Sequence, residues 1–308
     1  MLVAAALAVG LSRRRLRGGT LIAPVRGVRM PAADAGDLAA RCQAIGLAMP
    51  AGAAFSHASA AALWGLPLPR GIDPAAPVHV IGPAGRPPID AFAVASHEGL
   101  GANETRLLRG VRLTTVARTW ADLGATLDDT DLVILTDAVL ALSYPRTTTS
   151  ELTAAMTRAA GRRGCRALRR ALGRARHFVD SPMETRVRLQ LIASGFPCPV
   201  VGADLFDNLG CWVARPDLCW PSLRLAIEYD GEHHRTDRAQ YARDIHRKEH
   251  MEDLGWRSIV LLADDVLRRW SATESRLVDA FVSRGVTVPS TLGGEPDTDL
   301  RRRIVIPR

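Results

Sequence analysis

Residues 225–234 read LAIEYDGEHH, so Glu228 and Asp230 alternate around Tyr229 and are followed at once by Gly231, Glu232, His233 and His234. In an extended strand, position 229 faces a core while 228 and 230 share the opposite face. With Pro221 and Ser222 as the two turn residues of a hairpin, 220 faces 223 and 217 faces 226. That register makes Asp217 a diagonal same-face neighbour of Glu228, and Asp230 extends the face by one more step. Carboxylates gathered in this way repel unless a proton, a cationic side chain or a divalent cation compensates. An all-oxygen cluster suits Mg²⁺ or Mn²⁺. The plain alternative is an exposed hairpin end, with Arg215 and Arg224 on the same face supplying the compensation.

Other residues carry chemistry with less constraint from spacing. Glu184 stands three residues after Ser181, with Pro182 between, which reads as a helix start closed by a capping box whether or not the acid does anything else. His246 and His250 are i, i+4 on a later helix, a spacing that can hold zinc, yet no motif fixes such a site. Lys248 lies on that same helix with Arg243, Asp244 and Arg247. Eight arginines fall between Arg158 and Arg176 with no acid among them. On one helix, residues such as Arg162, Arg166, Arg169 and Arg170 would form a basic face opposite Cys165, Leu168 and Leu172. A face of this kind can lie along phosphates or simply meet solvent.

The elements that must position these groups follow from periodicity and punctuation. A short opening helix leads into RRRLRGGTLIAPVRGVRM, an arginine-rich stretch with a Gly-Gly turn between strand-like runs, readable as a wing or as a solvated hairpin. Helices are expected at about 34–48 and 56–64, the second opened by Ser56, with strands near 78–81, 91–97 and 111–114. Helices near 116–125 and 130–142 come next, then the basic block 150–176 with Ser150 as its N-cap and with Gly161, Gly164 and Gly173 as breakers. After the helix starting at 181, strands are expected at 199–206, 211–219 and 223–230, a helix at 237–254, a strand at 256–262 and a helix at 264–284. The last residues, with Arg301, Arg302 and Arg303, read as a flexible basic tail.

Composition bounds the answer. The chain has 308 residues and 33.2 kDa, enough for two domains, and 47% hydrophobic residues exclude wholesale disorder. The 40 Lys and Arg exceed the 32 Asp and Glu, giving +8 and a pI near 10.0, a balance that favours polyanionic partners. Lys248 is the one lysine among those 40, a bias of composition and not of chemistry. Five scattered cysteines, Cys42, Cys165, Cys198, Cys211 and Cys219, contain no Cys-x-x-Cys, which fits a reducing cytoplasm. The apolar opening MLVAAALAVG is too short to span a bilayer, and its arginines follow the run where a signal peptide would place them before it. It reads as a helix of the first domain, with no membrane partner.

From about 180 to 270 the chain resembles the very-short-patch-repair-like branch of the PD-(D/E)XK nuclease superfamily. The likeness is carried by SPMETRVR, then ARPDLCWPSLRLAIEYDGEHH, then QYARDIHRKEHMEDLGWRSIVLL. The resemblance implies an α/β protein whose C-terminal domain, 180–285, is a restriction-endonuclease-like mixed sheet flanked by helices, followed by the tail 286–308. It also implies that Glu184 is the leading-helix acid, Asp217 the central metal-binding Asp and Glu228 the acid of the third motif, with Mg²⁺ or Mn²⁺ held by Asp217 and Glu228. Where the superfamily places a lysine two residues after that acid, this chain has Asp230. The branch uses a histidine after the glycine, which His234, or His233, would match; Lys248 is a further substitute. The expected partner is nucleic acid, DNA before RNA, with Arg243 and Arg247 neutralising phosphates.

The first 175 residues resemble the region that often precedes this domain, which begins like the winged-helix part of AbiEi-type abortive-infection antitoxins. LSRRRLRGGTLIAPVRGVRM, SHASAAALWGLPLP and LTTVARTWADLGA carry that likeness. It implies an α+β domain holding a winged helix truncated at its start. Two functions follow as expectations: a metal-dependent endonuclease in DNA repair or phage defence, or a non-catalytic DNA-binding regulator built on the same scaffold.

Overall fold

The computed structural model describes residues 1–85, 88–141, 146–231, 238–289 and 303–305, with only the backbone described for 238–244 and 303. Two compact units divide the chain: Met1–Val139 with Arg146–Gly173, and Leu140–Pro145 with Arg174–Arg308. Both mix helices with sheet, so the chain is α/β throughout.

In the first unit a five-stranded sheet runs in the order Val94–Glu98, Val78–Gly82, Ala54–Phe55, Val111–Thr114, Thr105–Leu108. Its inward side chains, Phe55, Val78, Val80 and Leu113, pack with Ile45 of the helix Leu38–Gly46 and with Val28. Ala54–Phe55 and Thr105–Leu108 are strands that periodicity did not mark, since two residues carry no alternation to read and TRLL is mostly exposed.

Local chemistry explains several departures from expectation. Instead of strand, the arginine-rich opening contains the helical turn Arg13–Leu16, capped by Ser12, and the Gly-Gly step leads from it to Leu21–Ile22, which pairs antiparallel with Met30–Pro31. The helix Thr149–Arg158 is capped by Thr148, not Ser150, because Thr148 and Glu151 exchange side-chain and backbone hydrogen bonds in a full capping box. The basic block then breaks into a second helix, Cys165–Arg174, while Gly173 continues it. At Gly164, with φ of 90°, a Cβ would meet the Gly124 carbonyl oxygen at 2.4 Å, so only glycine fits this close approach.

The second unit is built on a four-stranded sheet in the order Arg257–Leu261, Leu225–Tyr229, Leu218–Trp220, Val200–Val201, with its first pair parallel and the others antiparallel. One face packs Leu218, Trp220, Leu225, Ile227, Ile259 and Leu261 against the helices Pro182–Ala193 and Trp270–Val282. The other packs Cys219 and Ala226 with Met251 of the helix Arg238–Asp253 and with Trp256. Helices therefore cover both faces, which is why the strands read as nearly continuous apolar runs.

Two expected strands are each broken. Val200–Val201 is separated from Asp204–Phe206 by Gly202, whose φ of 54° and approach to the Phe178 carbonyl oxygen, 2.6 Å from where a Cβ would stand, force a bend. Trp212–Ala214 is likewise separated from Leu218–Trp220, around Pro216, which offers no N–H to a ladder. The outer pieces form a different sheet, Trp212–Ala214, Asp204–Phe206, Arg303–Val305. Residues 303–305 are thus a parallel strand on 204–206, where a flexible tail was expected. The expected helix 264–284 is two, Ala263–Leu267 and Trp270–Val282. No helix among the described residues is long and apolar enough to cross a membrane.

Candidate functional site

The hairpin register differs from the two-residue turn by two positions. Trp220 pairs with Leu225 and Leu218 with Ile227, because Pro221–Leu223 forms a 3-10 turn and Arg224 closes it in the left-handed region. A shift of two keeps every side chain on its own face. Asp217, just before its strand, therefore stands directly across from Glu228 instead of diagonally, and Tyr229 packs against the core on the other side as alternation requires.

Asp217 is held from both sides. Its carbonyl accepts the Gly202 N–H at 3.0 Å, and its Oδ2 accepts the Tyr229 N–H at 2.7 Å. Burial pushes its carboxyl up to about 6; the Tyr229 N–H opposes that shift, the charges of Glu228 and Asp180 add to it, and Arg247 opposes it again. Glu184 comes in from the helix Pro182–Ala193. Ser181 caps this helix by accepting the Glu184 N–H, but the Glu184 carboxylate accepts the Asp180 N–H at 3.0 Å, one residue beyond the position a capping box would use. Only 7% of Glu184 is exposed, and burial together with the charge of Asp217 pushes its carboxyl up to about 8.

The structure thus brings Glu184, Asp217 and Glu228 into one acidic neighbourhood, and adds Asp180, the residue before the N-cap Ser181. Compensation comes from Arg247 of the helix Arg238–Asp253, whose Nη2 lies 3.5 Å from Glu228 Oε2. Of the two arginines expected on this face, Arg215 pairs with Asp204 and Arg224 donates to the Leu254 carbonyl. Asp230 continues the strand through its N–H to the Leu261 carbonyl, one step beyond Glu228 on the same face. Lys248 has no ion pair in the described structure. His233 and His234, with Glu232, lie outside the described residues, as does the side chain of Arg243. His246 pairs with Glu249, and no metal-sized group among the described residues includes it or His250.

An oxygen-only donor pair, Asp217 and Glu228, on facing strand positions, fits a hard divalent ion in donor chemistry. With Glu184 as third member the ligand oxygens do not all come within 4.8 Å of one another, so in this conformation Arg247 does the compensating.

The basic face is smaller than one unbroken helix would make it. Arg162, Arg166 and Arg169 are exposed. Arg170 makes two hydrogen bonds to Asp129, Arg158 bonds Glu104 at 2.9 Å, and Arg176 is buried.

No protein-family model matches the chain, and no solved structure matches it significantly. Two curated proteins do: Uncharacterized protein MT2308 of Mycobacterium tuberculosis strain CDC 1551 / Oshkosh, and Uncharacterized protein Rv2248 of strain ATCC 25618 / H37Rv. Each is 30% identical over 249 residues, spanning 80% of this chain and 88% of the relative. Identity of that extent, running through both units, makes this chain a member of the family of these two mycobacterial proteins.

Proposed function

We propose that the protein is a divalent-metal-dependent endonuclease acting on DNA, with its chemistry in the second unit. The observation that carries the reading is the facing pair Asp217 and Glu228 with buried Glu184 beside it, in a mixed sheet covered by helices on both sides. This arrangement agrees with the motif order of the very-short-patch-repair-like PD-(D/E)XK nucleases that the sequence resembles. Asp217 and Glu228 would hold Mg²⁺ or Mn²⁺, which when bound supplies polarisation of the scissile phosphate and a more acidic water.

The remaining roles belong to the chain. The Tyr229 N–H fixes the Asp217 carboxylate. In the metal-free protein Glu184 is kept protonated near neutral pH by its surroundings, and can donate a hydrogen bond where a charged acid could only accept. His234, three positions past Gly231 and matching the histidine that the branch uses after the glycine, takes the proton of the attacking water, since an imidazole titrates near neutrality. Arg247 is displaced from Glu228 toward phosphate as substrate enters, and Arg162, Arg166 and Arg169 add sequence-independent phosphate contacts.

The test is metal-dependent stability and cleavage together. Mn²⁺ should raise the melting temperature, and Asp217→Ala or Glu228→Ala should each abolish the rise and any phosphodiester cleavage. His234→Ala should keep the rise and lower turnover by about 10²-fold or more. Wild type that neither responds to Mn²⁺ nor cuts any DNA or RNA rejects the reading.

A second reading is supported by Arg247 already bridging to Glu228 and by Asp230 in place of the superfamily lysine. In it the domain is a scaffold, and the protein is a non-catalytic DNA-binding regulator of the antitoxin kind. DNA affinity unchanged by EDTA and by Asp217→Ala, with no cleavage, would favour it.

A further inference from the structure

Three histidines well separated in sequence converge in the first unit. His79 and His97 lie on the adjacent parallel strands Val78–Gly82 and Val94–Glu98, where His79 pairs with Ala95 and His97 with Ile81, so their side chains share one face as diagonal neighbours. His57 follows Ala54–Phe55, whose antiparallel pairing with Val78–Gly82 continues in a 3.0 Å hydrogen bond from the Ser56 N–H to the His79 carbonyl. His79 Nδ1 and His97 Nε2 are 2.9 Å apart. The His57 ring stacks on His97 with centroids at 3.8 Å, and one nitrogen from each of the three rings lies within 4.8 Å of the others. Among the described residues no other three His, Cys, Asp or Glu side chains meet that closely.

Two independent features suggest more than packing. His57 is a side-chain-bearing residue at φ of 49°, in the left-handed region, as the first residue of the helix His57–Leu63. Such backbone persists where the surroundings over-determine it, and it gathers at functional positions. The Ser56 hydroxyl lies 2.9 Å from His57 Nδ1, a contact that fixes the ring and leaves its other nitrogen to act. His57 and His97 also border a cleft of about 330 Å³, with Arg158 and Arg162 on its wall, so one side of the cluster is open.

The charge state suits ligation. Burial lowers all three imidazoles, with neighbouring rings lowering His57 and His97 further, to about 2 and about 4, and Arg118 adding to the shift of His57. Neutral imidazole is the form that binds metal.

We propose that His57, His79 and His97 bind one zinc ion, with a coordination position facing the cleft. Three imidazole nitrogens without a carboxylate select a borderline ion over Mg²⁺ or Mn²⁺, and three protein ligands leave the fourth position to a water or an anionic group. Loading replaces the hydrogen bond between His79 and His97. The ring that donates it moves that proton to its other nitrogen, so no net proton is released. The His57 and His97 rings, now 21° from parallel, turn until their lone pairs converge. This site is independent of the carboxylates of the second unit.

Full-length protein stripped with EDTA, equilibrated with Zn²⁺ and desalted should carry one zinc per chain by elemental mass spectrometry. His79→Gln and His97→Gln should each weaken binding at least tenfold, while Asp217→Ala leaves it unchanged, so failure here is distinguishable from failure of the nuclease reading. Two measurements need no variant. Co²⁺ should give the visible bands of a four-coordinate nitrogen site, and Zn²⁺ should protect the peptides holding His57, His79 and His97 from diethyl pyrocarbonate. Zinc content that persists in both variants overturns the proposal. So does wild type that binds no zinc, gives no cobalt bands and shows no protection, which would leave the histidines as a packed stack.

Discussion

Glu184 shows how one side chain serves two ends. Its carboxylate satisfies the Asp180 N–H near the start of a helix, yet it is buried against Asp217 and its proton is held to about 8. For a carboxyl whose value in the folded protein lies above the ordinary 4.5, the proton stabilises the fold. That contribution is complete below the ordinary value and is lost as pH rises through the folded one. Asp217, raised from 3.8 to about 6, adds the same sign over a lower window. Metal-free protein should therefore lose stability between about pH 4 and pH 8 through this pair. Glu184→Gln keeps an acceptor oxygen for Asp180 but cannot ionise, so its melting temperature should match wild type near pH 5 and exceed it by roughly 5 °C near pH 8.5. A variant that is less stable than wild type at both pH values would make Glu184 a helix cap and nothing more. Glu184, Asp217 and Glu228 were legible from their types and order, whereas the three histidines were not, because no short spacing ties them to one another, and Asp180, four residues before Glu184, stands outside the cap pattern that singles that acid out.

Elements decide what those residues meet. The hairpin turn was read with two residues and has four, an error that leaves the parity of the strand intact and so leaves Asp217 and Glu228 on one face. Parity is a local property of extended backbone, while turn length depends on how Pro221 and Arg224 fit their neighbours. The arginine block shows the opposite case. A charge run laid out on one helical face divides into two helices at two of its expected breakers, Gly161 and Gly164, which take φ of 78° and 90°, and Arg158 and Arg170 are paired with Glu104 and Asp129. If the exposed members contact phosphates, replacing Arg162, Arg166 and Arg169 with Ala should flatten the log–log salt dependence of DNA binding by roughly 2–3, at about 0.9 for each contact. An unchanged slope would mean that this face only meets solvent.

Across the whole molecule, two compact units, each with its own core, imply two cooperative units. The first unit centres on Phe55, Val80 and Leu113 and the second on Leu225, Ile227 and Phe281. Calorimetry of the full chain should resolve two transitions, with Zn²⁺ raising only one and Mn²⁺ only the other, because a ligand stabilises the unit that holds its site. A single transition shifted by both ions would show that the units unfold together. By itself the sequence determined the α/β class, a change of character near 175–180, most helices, and the acids that share a strand face, because periodicity, caps and alternation act over a few residues. Only the tertiary structure decided that 199–206 and 211–219 each divide between two sheets, that 303–305 returns as a strand on 204–206, and that Arg247 reaches Glu228. It alone brought His57, His79 and His97 to one point. These facts depend on which distant strands lie side by side, and that choice is made by burying both faces of a sheet at once, a constraint that no window along the chain contains.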